Sequence, residues 1–96
     1  MEIDFSSSIE NESVVGKGSI IQKETKIEKS VIGRNVTIGP KCSINNCIIF
    51  DDCVIKEGCT LENVIILNNS NIMKDSVTIK NSTIGKDVNI NKVRSV

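Results

Sequence analysis

Four cysteines, Cys42, Cys47, Cys53 and Cys59, crowd the middle of the chain. Such density is the first candidate for chemistry, because thiolates hold zinc and thiol pairs form disulfides. Their spacings are five, six and six residues, which is not a zinc-ligand pattern. Free Cys is among the most buried residue types, so small interior thiols are the expected reading. Asp51, Asp52 and Glu57 could act as paired carboxylates, but nothing apolar nearby would raise a carboxyl pKa, and a solvated corner is expected. Gly16-Lys17-Gly18 lacks the strand-loop-helix setting of a phosphate cradle and reads as a turn. The chain has no His, which removes the commonest general base and a common zinc ligand. No catalytic, cofactor-binding or metal-ligating residue is assigned, and the chain is expected not to be an enzyme.

The elements that position these groups are legible in the composition. Seventeen Ile, ten Val and five Thr make a third of the chain β-branched. Such side chains lose rotamer freedom in helices and pack well on pleated surfaces. An aliphatic residue recurs every five to seven positions: Ile9, Val15, Ile21, Ile27, Ile32, Ile38, Ile44, Ile49, Ile55, Leu61, Ile66, Ile72, Ile79, Ile84, Ile90. From Val15 onward three steps add up to seventeen, with one coil of eighteen, a period that neither a helix nor a hairpin produces. A chain that turns a corner about every six residues does. The expected fold is all-β, a triangular parallel solenoid of about five coils. Residues two before each aliphatic share its face, and all of them, the four Cys included, are small or β-branched. Cys42 and Cys59 lie one coil apart in one column, the only pair expected within bridging range. Gly16, Gly33, Gly39, Gly85 and several Asn follow the aliphatics, where corners demand left-handed dihedrals. Stacked Asn at Asn45-Asn46 and Asn68-Asn69 would form ladders. Residues 9–91 are expected to form the solenoid, with 1–8 a linker outside the repeat and 92–96 a tail.

Twelve basic and twelve acidic residues balance and are scattered. Without a basic stripe or aromatic platforms, nucleic-acid binding is not expected. Apolar runs of three or four residues are far short of a membrane span or signal core, so a cytoplasmic protein is expected. One outer face differs from the others. Val14, Val31, Ile48 and Ile65, each just before the first column, should point outward, flanked by Phe50 and Leu67 where other coils carry Gly. The second face offers Ile20, Thr37, Val54, Asn71 and Asn89, and the third Lys26, Ser43, Thr60 and Thr78. A contiguous apolar stripe usually marks an interface, so Val14, Val31, Ile48, Phe50, Ile65 and Leu67 are the candidate partner-binding residues.

From Val15 to Ile90 the chain resembles the left-handed β-helix at the C-terminal end of nucleotidyltransferase-like proteins. Lys29-Ser30-Val31-Ile32-Gly33, Asn46-Cys47-Ile48-Ile49, Val64-Ile65-Ile66-Leu67-Asn68-Asn69 and Ser82-Thr83-Ile84-Gly85 are most similar to the gamma subunit of eukaryotic translation initiation factor two B. The epsilon subunit and sugar-nucleotide pyrophosphorylases share the pattern. The resemblance implies a left-handed coil, against the usual rule for parallel crossovers. It also implies an N-terminal nucleotidyltransferase-like domain elsewhere in the protein. The partners implied are the epsilon subunit and its companions in a guanine-nucleotide exchange complex, with gamma in an assembly and regulatory role. No cofactor is implied for this domain, and self-association of the isolated domain is compatible with it. A pyrophosphorylase oligomerisation module and a dynactin-type scaffold are the alternatives.

Overall fold

The computed structural model describes residues 1–90, so the tail expected at 92–96 lies outside the described residues. Among these there is no helix, and every strand pairing is parallel. The second face consists of β1 (Glu2–Ile3), β4 (Ile20–Ile21), β7 (Thr37–Ile38), β10 (Val54–Ile55), β12 (Asn71–Ile72) and β14 (Asn89–Ile90) in that order. The third face begins with β2 (Ser8–Glu10), β5 (Lys26–Glu28) and β8 (Ser43–Asn45), and the first with β3 (Val14–Val15), β6 (Val31–Ile32) and β9 (Ile48–Ile49). These two faces are joined by β11 (Thr60–Ile66) and β13 (Thr78–Ile84), which run round the corner without a break. β11 pairs with β8 through Thr60 to Glu62 and with β9 through Ile65 and Ile66. Seventeen residues separate partners in the middle coils, as in Ile32↔Ile49. Eighteen separate them at both ends, as in Ile9↔Ile27 and Leu61↔Ile79.

The first eight residues correct the expectation of a linker. Glu2 and Ile3 pair in register with Ile20 and Ile21, so the aliphatic period begins at Ile3, one step before Ile9. Ser7 stands two before Ile9 and takes the small interior position: its Oγ donates to Gln22 O at 2.5 Å and accepts from Thr25 N at 3.0 Å.

The core is the stack of three columns. Ile21, Ile27, Ile32, Ile38, Ile44, Ile49, Ile55, Leu61, Ile66 and Ile72 are all buried, with Val36, Val64 and the four cysteines beside them. Ile9, Val15, Val77, Ile79 and Ile90 in the end coils are only partly covered. Parallel coils cover one another's apolar faces, so a residue with a coil on each side is dry and an end residue is not.

Corners are made by residues in the left-handed region, as expected for Asn but not for most of the glycines. Lys29, Asn46, Asn63 and Asn81 turn one corner, with φ of 53°, 56°, 56° and 53°. Gly18, Asn35, Asp52, Asn69 and Asp87 turn the next. Of the glycines only Gly18 and Gly58 have positive φ. Gly16, Gly33, Gly39 and Gly85 do not, which corrects the dihedral argument for them. At Gly39 the reason is closeness: a Cβ there would lie 2.8 Å from Glu57 N and Lys56 C of the next coil.

Candidate interface on the first face

The outward residues of the first face stand in register on paired strands: Val14 beside Val31, Val31 beside Ile48 and Ile48 beside Ile65. Side chains alternate along a strand, so each of these is exposed while its successor, Val15, Ile32, Ile49 or Ile66, points inward. Val14 is 57% exposed, Val31 47%, Ile48 42% and Ile65 38%. Phe50 is 41% exposed, whereas Leu67 is half-buried. All six predicted residues therefore lie on one face, and five of them are open to solvent.

Two rails border this stripe. On one side Asn46 Nδ2 donates to Asn63 Oδ1, and Asn63 Nδ2 donates to Asn81 Oδ1 at 2.9 Å, the ladder that stacked corner Asn imply. A shallow groove of about 380 Å³ between ladder and stripe is lined by Lys29, Val31, Asn46, Ile48, Asn63 and Ile65 among others. On the other side Phe50 and Leu67 are held in the coil stack by Phe50 N donating to Ile66 O at 2.8 Å and Leu67 N to Ile84 O at 3.0 Å. The ion pairs Lys26 with Glu28 and Lys80 with Glu62, at 3.9 and 3.7 Å, belong to the third face. The first face thus has an apolar centre and a hydrogen-bonding edge, the general anatomy of a protein interface.

The cysteines, Asp51 and Lys17 take part in the coil stack. Cys42, Cys47, Cys53 and Cys59 are buried free thiols in the register held by Ser19, Thr25, Ser30 and Ser70 elsewhere. Ser19 Oγ donates to Gly33 O at 2.7 Å and accepts from Val36 N at 3.0 Å. Cys42 Sγ and Cys53 Sγ contact the equivalent carbonyls, Lys56 O at 3.1 Å and Leu67 O at 3.2 Å. Burial pushes the Cys47 and Cys53 thiols up. Cys42 and Cys59 do stack, as the pairing of their neighbours Ser43 and Thr60 requires, and the closeness of the two thiols holds Cys42 up and Cys59 down. Asp51 is committed to its corner, with Oδ1 accepting from Arg34 N at 2.9 Å and its own N donating to Asn68 Oδ1 at 3.3 Å. Lys17, in the Gly-Lys-Gly segment, uses its carbonyl to accept from Asn35 N at 3.1 Å. Among the described residues no three His, Cys, Asp or Glu are placed to hold a metal ion.

Sequence reasoning missed a second apolar patch at the N-terminal end of the second face. Met1, Ile3, Phe5 and Ile20 are exposed there, Phe5 at 98%. A groove of about 720 Å³ runs between Ile3, Phe5, Ile20 and Pro40. Extending the period back to Ile3 would have revealed it.

A family model described as EIF2B subunit epsilon LbH domain matches residues 1–96, so the match includes the first eight residues that the repeat count had left out. Curated proteins give no match. The family model does not single out the gamma subunit. On a match that spans the whole chain, with the parallel coils described above, the chain belongs to the family of left-handed β-helix domains of eukaryotic translation initiation factor two B.

Proposed function

We propose that this chain is a non-catalytic assembly domain of a guanine-nucleotide exchange complex of the initiation factor two B type, acting in the cytoplasm and held by its neighbours through the first face. The observation that carries this reading is the unbroken stripe Val14, Val31, Ile48 and Ile65. An apolar row of this length, running through the middle coils while the third face carries Lys26, Ser43, Thr60 and Thr78 and the second face is apolar mainly at its N-terminal end, is stabilised by being covered. The side chains of the stripe itself are aliphatic, and the four thiols are buried, with Cys42 and Cys53 set against backbone carbonyls.

Two places in such a complex suit the rod. The four segments quoted from the sequence favour the gamma subunit, whose partner is epsilon. The description of the matching family favours epsilon, whose partner is gamma. The test is co-purification of the chain with each subunit, wild type against Ile48→Asp with Ile65→Asp. Binding to epsilon supports the gamma place and binding to gamma supports the epsilon place. In either case the double variant stays folded and loses its partner. Unchanged co-purification of the double variant refutes the first face as the interface.

A further inference from the structure

We infer that in the free chain the first face is occupied by the first face of a second copy, with the two rods antiparallel about a two-fold axis that runs along the strand direction through Ile48. The inference rests on the first face being an interface, and it adds the occupant and its orientation. The stripe is nearly symmetric about Ile48: Val31 lies one coil to one side and Ile65 one coil to the other, with Val14 and Thr83 at two coils. The antiparallel axis sets Val31 against Ile65 of the second copy and Ile48 against its own equivalent, an isologous contact. Strand spacing is the same on both faces, about 4.8 Å, so every coil meets a coil in step.

The flanking rails choose between orientations. With the rods antiparallel, Leu67 of one copy faces Gly33 of the other, a large side chain over a missing one, and Phe50 faces Phe50. The corner rails also meet, setting Asn63 opposite Lys29. With the rods parallel, Phe50 and Leu67 would lie against the Asn46 and Asn63 amides, whose desolvation is unfavourable. The available area is sufficient. A rod with three faces and two ends and an accessible surface of 5705 Å² offers roughly 1,400 Å² per face, above the roughly 800 Å² per partner of a standard interface.

Sedimentation equilibrium of the chain from micromolar to millimolar concentration is the test. Wild type is expected to dimerise, and Ile48→Glu, which sets two carboxylates face to face at the axis, to raise the dissociation constant at least ~100-fold. Val31→Lys alone and Ile65→Glu alone are each expected to weaken the dimer, and the two together in one chain to restore it, because each new cation then meets an anion of the other copy. Parallel rods would give the opposite result, with the double variant weakest. Ser43→Glu on the third face should change nothing. Circular dichroism of each variant confirms that the fold survives. A wild-type chain that is monomeric throughout, or a double variant that fails to recover, overturns the proposal. Subunit co-purification that persists alongside a monomeric free chain would leave the assembly reading standing and remove only the self-pairing.

Discussion

Ile48 and Ile49 are chemically identical neighbours that the fold treats in opposite ways, so truncating each in turn measures the architecture directly. Ile49 is 1% exposed, stacked between Ile32 and Ile66 on paired strands. Ile49→Ala removes three carbon groups at about 0.8 kcal/mol each, and the cavity left between two fixed coils adds to that. The expected cost is about 2–5 kcal/mol. Ile48, at 42% exposure, has less burial to lose, and Ile48→Ala forfeits mainly cross-strand contact and strand preference, about 1 kcal/mol or less. For a domain of this size each kcal/mol moves the melting temperature by about 4–8 °C. Ile49→Ala is therefore expected to melt at least 8 °C below wild type, and Ile48→Ala within about 8 °C of it. Urea titration followed by circular dichroism gives the free energies. Equal costs, or a larger cost at Ile48, would refute the assignment of inward and outward positions on which the first face depends.

Two further outcomes follow from interior and corner chemistry. Burial raises the Cys47 and Cys53 thiols above the ordinary 9.0, so the unfolded chain releases those protons first. Their contribution is complete below pH 9 and is lost as pH rises beyond it. The urea midpoint should hold to pH 9 and then fall, and Cys47→Ser with Cys53→Ser should flatten the fall; an unchanged decline would contradict the burial argument. At the corner, Asn63→Gly keeps the left-handed φ of 56° but cuts the amide ladder on both sides, an expected loss of about 1 kcal/mol. Asn63→Val should cost about 1–2 kcal/mol more because a β-branched residue is strained there, and equal stabilities would show that the corner does not require that dihedral.

The coil was legible because one physical constraint repeats: each corner needs a large aliphatic facing inward and a small residue two positions earlier. That pattern located Ile21 through Ile72, set the four cysteines in the interior and singled out Cys42 and Cys59 as the stacked pair. It also placed the outward stripe, since alternation along a strand fixes which of Ile48 and Ile49 is buried. What was not legible depended on neighbours in space. Gly39 is required by a backbone in the adjacent coil, a contact seventeen residues away that composition does not announce. Ile3 escaped because Asp4 and Phe5 after it resemble no other coil, and with it the exposed Phe5 patch was lost. Leu67 was expected to be as open as Phe50, yet it is half-buried in the same column. Subunit identity was beyond the pattern, since the repeat fixes the coil and the quoted segments resemble gamma while the matching family is described as epsilon.

Under the proposed function, the first face is where this rod is held. Isoleucine-methyl resonances of the labelled chain, followed as the partner subunit is added, test it directly, because Ile48 and Ile65 report on the first face and Ile20 on the second. Shift or broadening at Ile48 and Ile65, with Ile20 unmoved, is the predicted result. A response at Ile20 with Ile48 and Ile65 silent would refute the first face as the binding surface and transfer the interface to the Phe5 end of the second face.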